Sequence, residues 1–507
     1  MRNHRTLLSL AAVLVVAGAA LAGAPGAADE PKSAAATTAA PSFAADVSSA
    51  MDRKADPCVD FYRYACGGWL DTTRLPADQN RWARSFSVIR ERNRALVREV
   101  LEKAAADPGS ADSERGKIGC FYAACMDEAA IEKAGAEPLK SILAKVAAVD
   151  GPAALLALTG ELHRDNVDVF FGTGVFPDFK NPGVNIALVA QGGIGLPDRD
   201  YYLSDDPKQQ EILAAYEQHV ARMLALLGEG AEDAAADARR VVAFETELAR
   251  ASRTRTEMRD LQRLYNKIDR AGLQKLTPEL PWDRYFDGLG GPAVVDINVA
   301  TPEFFSALAR QIPAAAAAAL RAYLTWQVVT AAADRLSSPF VDENFAFYGA
   351  TLSGQQEIEP RWKRCVDATE GALGEAVGKV YVEDNFPGAS KQVALEMIGD
   401  IEAAFESNLP KLAWMDDATR ARAVEKKSAI QNKIGYPDQW RDYSRLAIGP
   451  RDGYYANSVA ATAFETDRQL AKVGKPVDRG EWGFPPQTVN ASYNPLLNDI
   501  SFFAGIF

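Results

Sequence analysis

The chain holds three histidines, His4, His163 and His219, and they bound the metal chemistry it can offer. Zinc held on one helix face needs two imidazoles a turn apart, as in His-Glu-x-x-His, with the intervening glutamate as base. No such motif occurs. His4 lies in a basic N-terminal segment, His163 closes a helix-like run, and His219 sits on a helix beside an apolar stripe. Each reads as an ordinary surface or helix-end histidine. No Cys-x-x-Cys pair substitutes, and there is no Gly-x-Ser-x-Gly elbow or Gly-x-x-x-x-Gly-Lys-Ser/Thr phosphate loop. Residue types and spacings identify no catalytic centre.

Binding chemistry is better represented in the last stretch. Pro485-Pro486 ends what precedes it. Two extended runs follow, Thr488–Tyr493 and Asp499–Phe503, joined by Asn494-Pro495, a turn former. Both read as strands of a sheet edge or hairpin. The last residues include Phe502, Phe503, Ile506 and Phe507, an apolar finish that is unusual because termini are commonly exposed. The segment reads as the start of a core whose other half is absent.

The elements that must position this stretch are mostly helices. Ser87–Ala105 carries Ile89, Leu96, Val97, Val100 and Leu101 on one face. Gln210–Leu227 has an apolar stripe and stops at Gly228. Ala235–Ala251 and Pro302–Gln311 follow, and Pro313 then starts an alanine run leading into a helix through Thr330. Gln392–Leu409 and Asp416–Ile430 continue the pattern, the second with acids at its start and Lys426-Lys427 near its end, matching the helix dipole. Strand-like sequence is scarce elsewhere: Val167–Gly172 and Val184–Gln191 predict a small hairpin. Asp56–Trp69 reads as a short buried helix ending at Gly67-Gly68.

Length allows about three domain-sized units, or fewer large ones. A hydrophobic fraction of 48% is ample for a core, and the net charge of −12 argues against binding a phosphate backbone. Nucleic acid is therefore excluded as a partner. Met1–Ala22 has a basic start, an apolar run and a small-x-small site, Ala20-Leu21-Ala22, and predicts a cleaved secretory signal with no membrane span after its removal. Gly23–Ser49, rich in Ala, Pro, Ser and Thr, reads as a flexible tether. Five cysteines suit an exported protein with a few staples, and their odd number leaves at least one without an internal partner.

An ordered series of motifs carries a resemblance. It runs through Asp56–Trp69, Gly195-Leu196-Pro197-Asp198-Arg199-Asp200-Tyr201-Tyr202, Arg259-Asp260, Tyr265-Asn266-Lys267, Phe340–Gly349 and Leu352-Ser353-Gly354. Arg361–Cys365, Gly378–Val382, Trp414-Met415-Asp416, Lys433–Pro437, Lys475–Arg479, Val489-Asn490-Ala491 with Tyr493-Asn494-Pro495, and Ala504-Gly505-Ile506 complete it. Together these resemble the neprilysin and endothelin-converting-enzyme family of zinc endopeptidases, from Asp56 to Phe507. The resemblance implies a mainly α fold: the large helical lobe of a two-lobed peptidase, with a small β-hairpin and a C-terminal β-edge from an incomplete catalytic lobe. The implied division is a signal at 1–22, a linker at 23–49, a helical domain at 50–470 and the start of the catalytic domain at 471–507.

The resemblance also assigns residues. Asn490 and Ala491 match the pair that binds the substrate backbone, a role that suits an exposed strand; a plain structural strand is the alternative, and Asn490-Ala491-Ser492 is also a glycosylation sequon. Arg81 and Arg90 resemble two arginines that bind the far end of a peptide, where a guanidinium fork suits a carboxylate. The spacing from Arg81 to Phe86 is one residue longer than the family's, so Arg84 competes with Arg81. Cys125 and Cys365 match a family disulfide. Cys58 and Cys66 match cysteines that pair with the C-terminal half, which leaves a Cys58–Cys66 bridge or intermolecular pairing open; Cys120 is outside the pattern. Ser492 stands where an aromatic is usual, and Phe503 where proline is usual. The implied function is the N-terminal portion of an exported zinc endopeptidase acting on peptide substrates. One zinc ion is expected in the complete enzyme and none in this chain, and a missing C-terminal catalytic portion is an expected partner. The alternative is a non-catalytic secreted peptide-binding protein that keeps the family shell.

Overall fold

The computed structural model describes residues 43–291 and 294–507. The expected signal and most of the expected tether lie outside the described residues. The tether's last residues do not: Phe43–Ala50 is a helix, α1. It packs on α2, Phe61–Thr72, so closely that a Cβ at Gly68 would lie 2.7 Å from the Ser49 carbonyl. The Asp60 carboxylate accepts the Arg63 N–H to cap α2. Two sequence expectations fail here. The helix continues through Gly67-Gly68 because the bare backbone is what lets α1 approach, and two of its aromatics are exposed, Phe61 by 68% and Tyr62 by 64%.

The other principal helices are α3 (Phe86–Ala106), α4 (Glu114–Met126), α5 (Pro152–Arg164), α6 (Pro207–Leu226) and α7 (Ala231–Ala251). Then come α8 (Pro302–Ala314), α9 (Ala317–Ala332), α10 (Arg361–Asn385), α11 (Gly388–Asn408), α12 (Asp417–Ser428) and α13 (Gly453–Leu470). Their starts follow local chemistry. Asp206 accepts from Lys208 and Gln209 N–H groups ahead of Pro207, the first residue of α6. Asp416 accepts from Thr419 to cap α12. The alanine run that Pro313 begins does lead into α9, but Pro313 itself lies in the last turn of α8, where it removes one backbone hydrogen bond near the helix end.

Two apolar cores result. The first gathers α5–α9 around Phe171, Trp282 and Trp326. The second gathers α3, α4, α10 and α13 around Val97, Phe121, Val377 and the Cys125–Cys365 disulfide. One sheet, order β1-β2-β4-β3, sits with the first core: β1 (Phe171–Asp178), β2 (Asn181–Gln191), β3 (Lys267–Asp269) and β4 (Asp296–Val299). The hairpin thus begins later than the periodicity of Val167–Gly172 predicts. Asn166 and Phe170 both take φ 58°, bending the chain out of strand geometry. The Phe170 N–H instead donates to the Tyr323 hydroxyl at 2.8 Å.

The second sheet, order β5-β7-β6, consists of β5 (Gln431–Gly435), β6 (Ala491–Asn494) and β7 (Asp499–Phe503). β5 runs parallel to β7 and β6 antiparallel to it, Ala491 facing Phe502 and Asn494 facing Asp499. β6 is shorter than the run Thr488–Tyr493 predicts, because Thr488 and Asn490 bond to each other through their backbones. The apolar finish is partly interior. Phe503 is 1% exposed against Trp482 and Phe484, while Phe507 leans on Phe386 and stays half exposed.

Candidate functional site

β6 is the site's central element. Among the described residues it pairs with β7 on one side only, which leaves its other side as a sheet edge that an extended chain could join. Along one face runs an open, largely apolar groove of about 520 Å³, lined by Phe405, Ile430, Ala491, Tyr493, Ile500 and Phe502 with Lys426 and Lys427 beside them. Asn490 is exposed and stands one residue ahead of the strand. Its Oδ1 accepts the Ala491 N–H at 2.8 Å.

α3 brings a second candidate to this strand. Arg90 is exposed near its start, and Asn93 follows one turn later on the same side. Asn93 is buried, and its Nδ2 donates to the Gly505 carbonyl at 2.8 Å, just past β7. Arg90 thus lies one turn ahead of the residue that meets the base of the β6–β7 hairpin. Arg81 is also exposed, and neither arginine makes an ion pair among the described residues. Arg84 is committed to Asp46 of α1, so of the two competing arginines Arg81 is the one left available.

Buried charges hold α3 on α10. The Arg94 guanidinium meets Asp367 in a fork, Nε–Oδ1 3.1 Å and Nη2–Oδ2 2.5 Å, and reaches Glu359 at 2.7 Å. Lys363 bridges Asp78 at 2.8 Å and Glu91 at 2.6 Å. Glu370, on α10, is deep in the protein yet not sealed from solvent. Burial first, and then the neighbouring Asp367, push its carboxyl up to about 7, against the Gln487 amide and Arg94.

His4 lies outside the described residues; His163 sits at a helix end, as expected, but neither it nor His219 is a surface group. His163 is buried at the end of α5, Nδ1 at 3.0 Å from the Tyr285 hydroxyl and Nε2 at 2.8 Å from the Val169 carbonyl. Burial lowers its pKa to about 4. His219 is fully buried on α6, stacked on Phe347, with Nδ1 at 2.8 Å from Glu343. Both ring systems are built into the first core. Among the described residues no group of three or more His, Cys, Asp or Glu side chains could hold a metal ion. A catalytic zinc takes three protein ligands, a set that the described residues do not bring together.

The disulfide joins Cys125 of α4 to Cys365 of α10 across 240 positions. Cys58, Cys66 and Cys120 are free thiols, so no Cys58–Cys66 bridge forms. Sequence reasoning missed the residues that seat β6, namely Asn93, Gln487 and a break in α10 at Leu373. The available signal was Gly374 and Gly378, one turn apart on α10.

The mainly helical body with small mixed sheets is that of a lobe of a neprilysin-like peptidase. The model of Peptidase family M13 matches residues 57–437. Bovine (Bos taurus) endothelin-converting enzyme 1 is 34% identical over 92% of this chain and 63% of its own length. Drosophila melanogaster neprilysin-3 is 32% identical over 91% of this chain and 62% of its own. The zinc metalloprotease of Mycobacterium tuberculosis, solved with an inhibitor, superposes with a TM-score of 0.85 at 35% identity, covering 90% of this chain and 69% of that one. The chain belongs to peptidase family M13. It spans about 63% of the length of the first curated relatives it matches.

Proposed function

We propose that this chain is the substrate-binding portion of an exported, neprilysin-like zinc metalloendopeptidase, and that it does not hydrolyse peptides by itself. The observation that carries this reading is the open edge of β6 beside an apolar groove. An extended peptide adds to such an edge through backbone hydrogen bonds, while pockets beside alternate residues select side chains. Asn490 supplies a side-chain donor at the start of the strand, and Arg90, with Arg81, offers a guanidinium to a peptide carboxylate. Within this division of labour, residues 50–470 form the helical domain and 471–507 open the catalytic one.

The family's chemistry is zinc-dependent, and the ligands it requires are not among these residues. Zinc binding and peptide-bond cleavage then belong to sequence outside them. Export is supported by the basic and apolar start of the chain and by a disulfide, which persists in oxidising compartments. Among the described residues no helix is long and apolar enough to cross a membrane. The test is a peptide-cleavage assay of the purified chain with added zinc. Intact peptide is the expected result, and zinc-dependent turnover abolished by chelator would overturn the reading.

A further inference from the structure

The strand read above as the peptide site is seated by contacts that its own sheet does not explain. α10 departs from helical geometry at Leu373, φ −131° and ψ 30°, which frees backbone groups that a continuous helix would pair. Two side chains take up such groups. The Glu375 N–H donates to the Tyr443 hydroxyl at 3.2 Å, and the Gly374 carbonyl accepts from Gln487 Nε2 at 3.1 Å.

Gln487 reaches that carbonyl because Pro485-Pro486-Gln487 lies directly on bare helix. A Cβ at Gly378 would stand 2.6 Å from Pro486 Cδ and 2.7 Å from Gln487 Oε1. Its backbone marks where the two ends of the β6–β7 hairpin meet. The Gly505 N–H donates to the Pro486 carbonyl at 2.8 Å, and Asn93 Nδ2 reaches the carbonyls of Gln487 at 3.4 Å and Gly505 at 2.8 Å.

Only Thr488, Val489 and Asn490 separate Gln487 from β6. Three residues span roughly 10 Å, too short a tether to absorb a shift at its root. A two-stranded hairpin is marginal alone, and among the described residues β6 has no second neighbour. Gln487 is 3% exposed, and Oε1 has no hydrogen-bond partner among the described residues. Burying an amide this way is costly where an apolar side chain of the same size would fill the space.

We propose that Gln487 is a positioning residue for peptide binding: its side-chain amide, docked on the Gly374 carbonyl at the break in α10, fixes the height and tilt of the β6 edge. The inference rests on the reading of β6 as the peptide strand. An edge held in place before binding loses less entropy when a peptide orders against it.

Gln487→Leu keeps the volume and removes the donor. Gln487→Glu restores a donor only when protonated; the groups that face it are Glu370 and Asp367 of α10 and Arg94 of α3. The assay is fluorescence anisotropy of a labelled nine-residue extended peptide with a free C-terminus, alongside amide hydrogen exchange. Gln487→Leu is expected to weaken binding roughly tenfold, as loss of one buried hydrogen bond would, and to speed exchange of the β6 amides while leaving β1 and β2 unchanged. Gln487→Glu is expected to bind poorly at pH 7.5 and to regain affinity as pH falls to 5, beyond any change in wild type; it carries the test if Gln487→Leu does not fold. Wild-type affinity and exchange in Gln487→Leu, or a Gln487→Glu that binds equally at both pH values, overturns the proposal and leaves the peptide-strand reading standing. No binding by the wild-type chain overturns that reading and this inference with it.

Discussion

Arg94 and Asp367 face each other as a two-bond fork, Nε–Oδ1 3.1 Å and Nη2–Oδ2 2.5 Å, and so fasten the helix that bears Arg90 to the helix on which Gln487 rests. Burial pushes the Asp367 carboxyl up while the guanidinium pulls it back. Removing the cation strands Asp367 and Glu359 in the interior. Arg94→Ala should therefore cost about 3–5 kcal/mol in urea unfolding, the usual consequence of breaking a buried pair from one side. Replacing both Arg94 and Asp367 with apolar residues should cost less than the single change.

Acid should weaken the fold through His163. Its pKa is lowered from 6.5 to about 4, so between those values the unfolded chain takes up a proton that the native imidazole refuses. Stability is complete above pH 6.5 and falls as pH drops towards 4, by on the order of 3 kcal/mol. Glu370 acts in the opposite sense. Its carboxyl, raised from 4.5 to about 7, favours the fold most below pH 4.5, and that contribution is lost as pH rises through 7. Unfolding free energies measured from pH 4 to 8 should lose the first slope in His163→Gln and the second in Glu370→Gln.

The Cys125–Cys365 bridge closes a loop of 240 positions, and by loop entropy its loss should destabilise the chain by about 5 kcal/mol. Cys125→Ser with Cys365→Ser, compared with wild type by thermal unfolding, checks this. Thiol labelling of the native protein should modify exposed Cys58 first. Cys120, buried and with its thiol pushed up by that burial, should react only on unfolding.

Arg90 and Asn490 should be separable by the peptide they are offered. Arg90→Ala should weaken a peptide with a free C-terminal carboxylate about tenfold, the worth of one charge-assisted hydrogen bond, and leave its C-terminal amide unaffected. Asn490→Ala should weaken both peptides alike. Arg81→Ala, measured in the same titrations, should follow Arg90→Ala with a smaller effect, because Arg81 precedes α3 and lacks Arg90's link, through Asn93, to the hairpin base.

Much of the architecture was legible because it rests on local periodicity. The stripes of α3 and α6, the Asp416 cap and the lysines ending α12 are written in contiguous residues, and helices form where such signals agree. The ordered motifs likewise led to the family and to its cysteine pair. What stayed hidden was long-range. Nothing near His163 or His219 in sequence says that Tyr285 or Glu343 will meet them. The bend at Asn166 and Phe170 overrode a strand-like run because the Phe170 N–H found Tyr323. Asn93 and Gly505 are 412 positions apart, and only the fold brings them together. The break in α10 leaves no local sign beyond two glycines.

The most direct measurement is a titration of labelled extended peptide into the chelator-treated chain, with mass spectrometry of the peptide at the endpoint. The account predicts saturable binding that needs no metal and leaves the peptide whole. A chain that shows no affinity, or that returns cleaved peptide once zinc is restored, would contradict it.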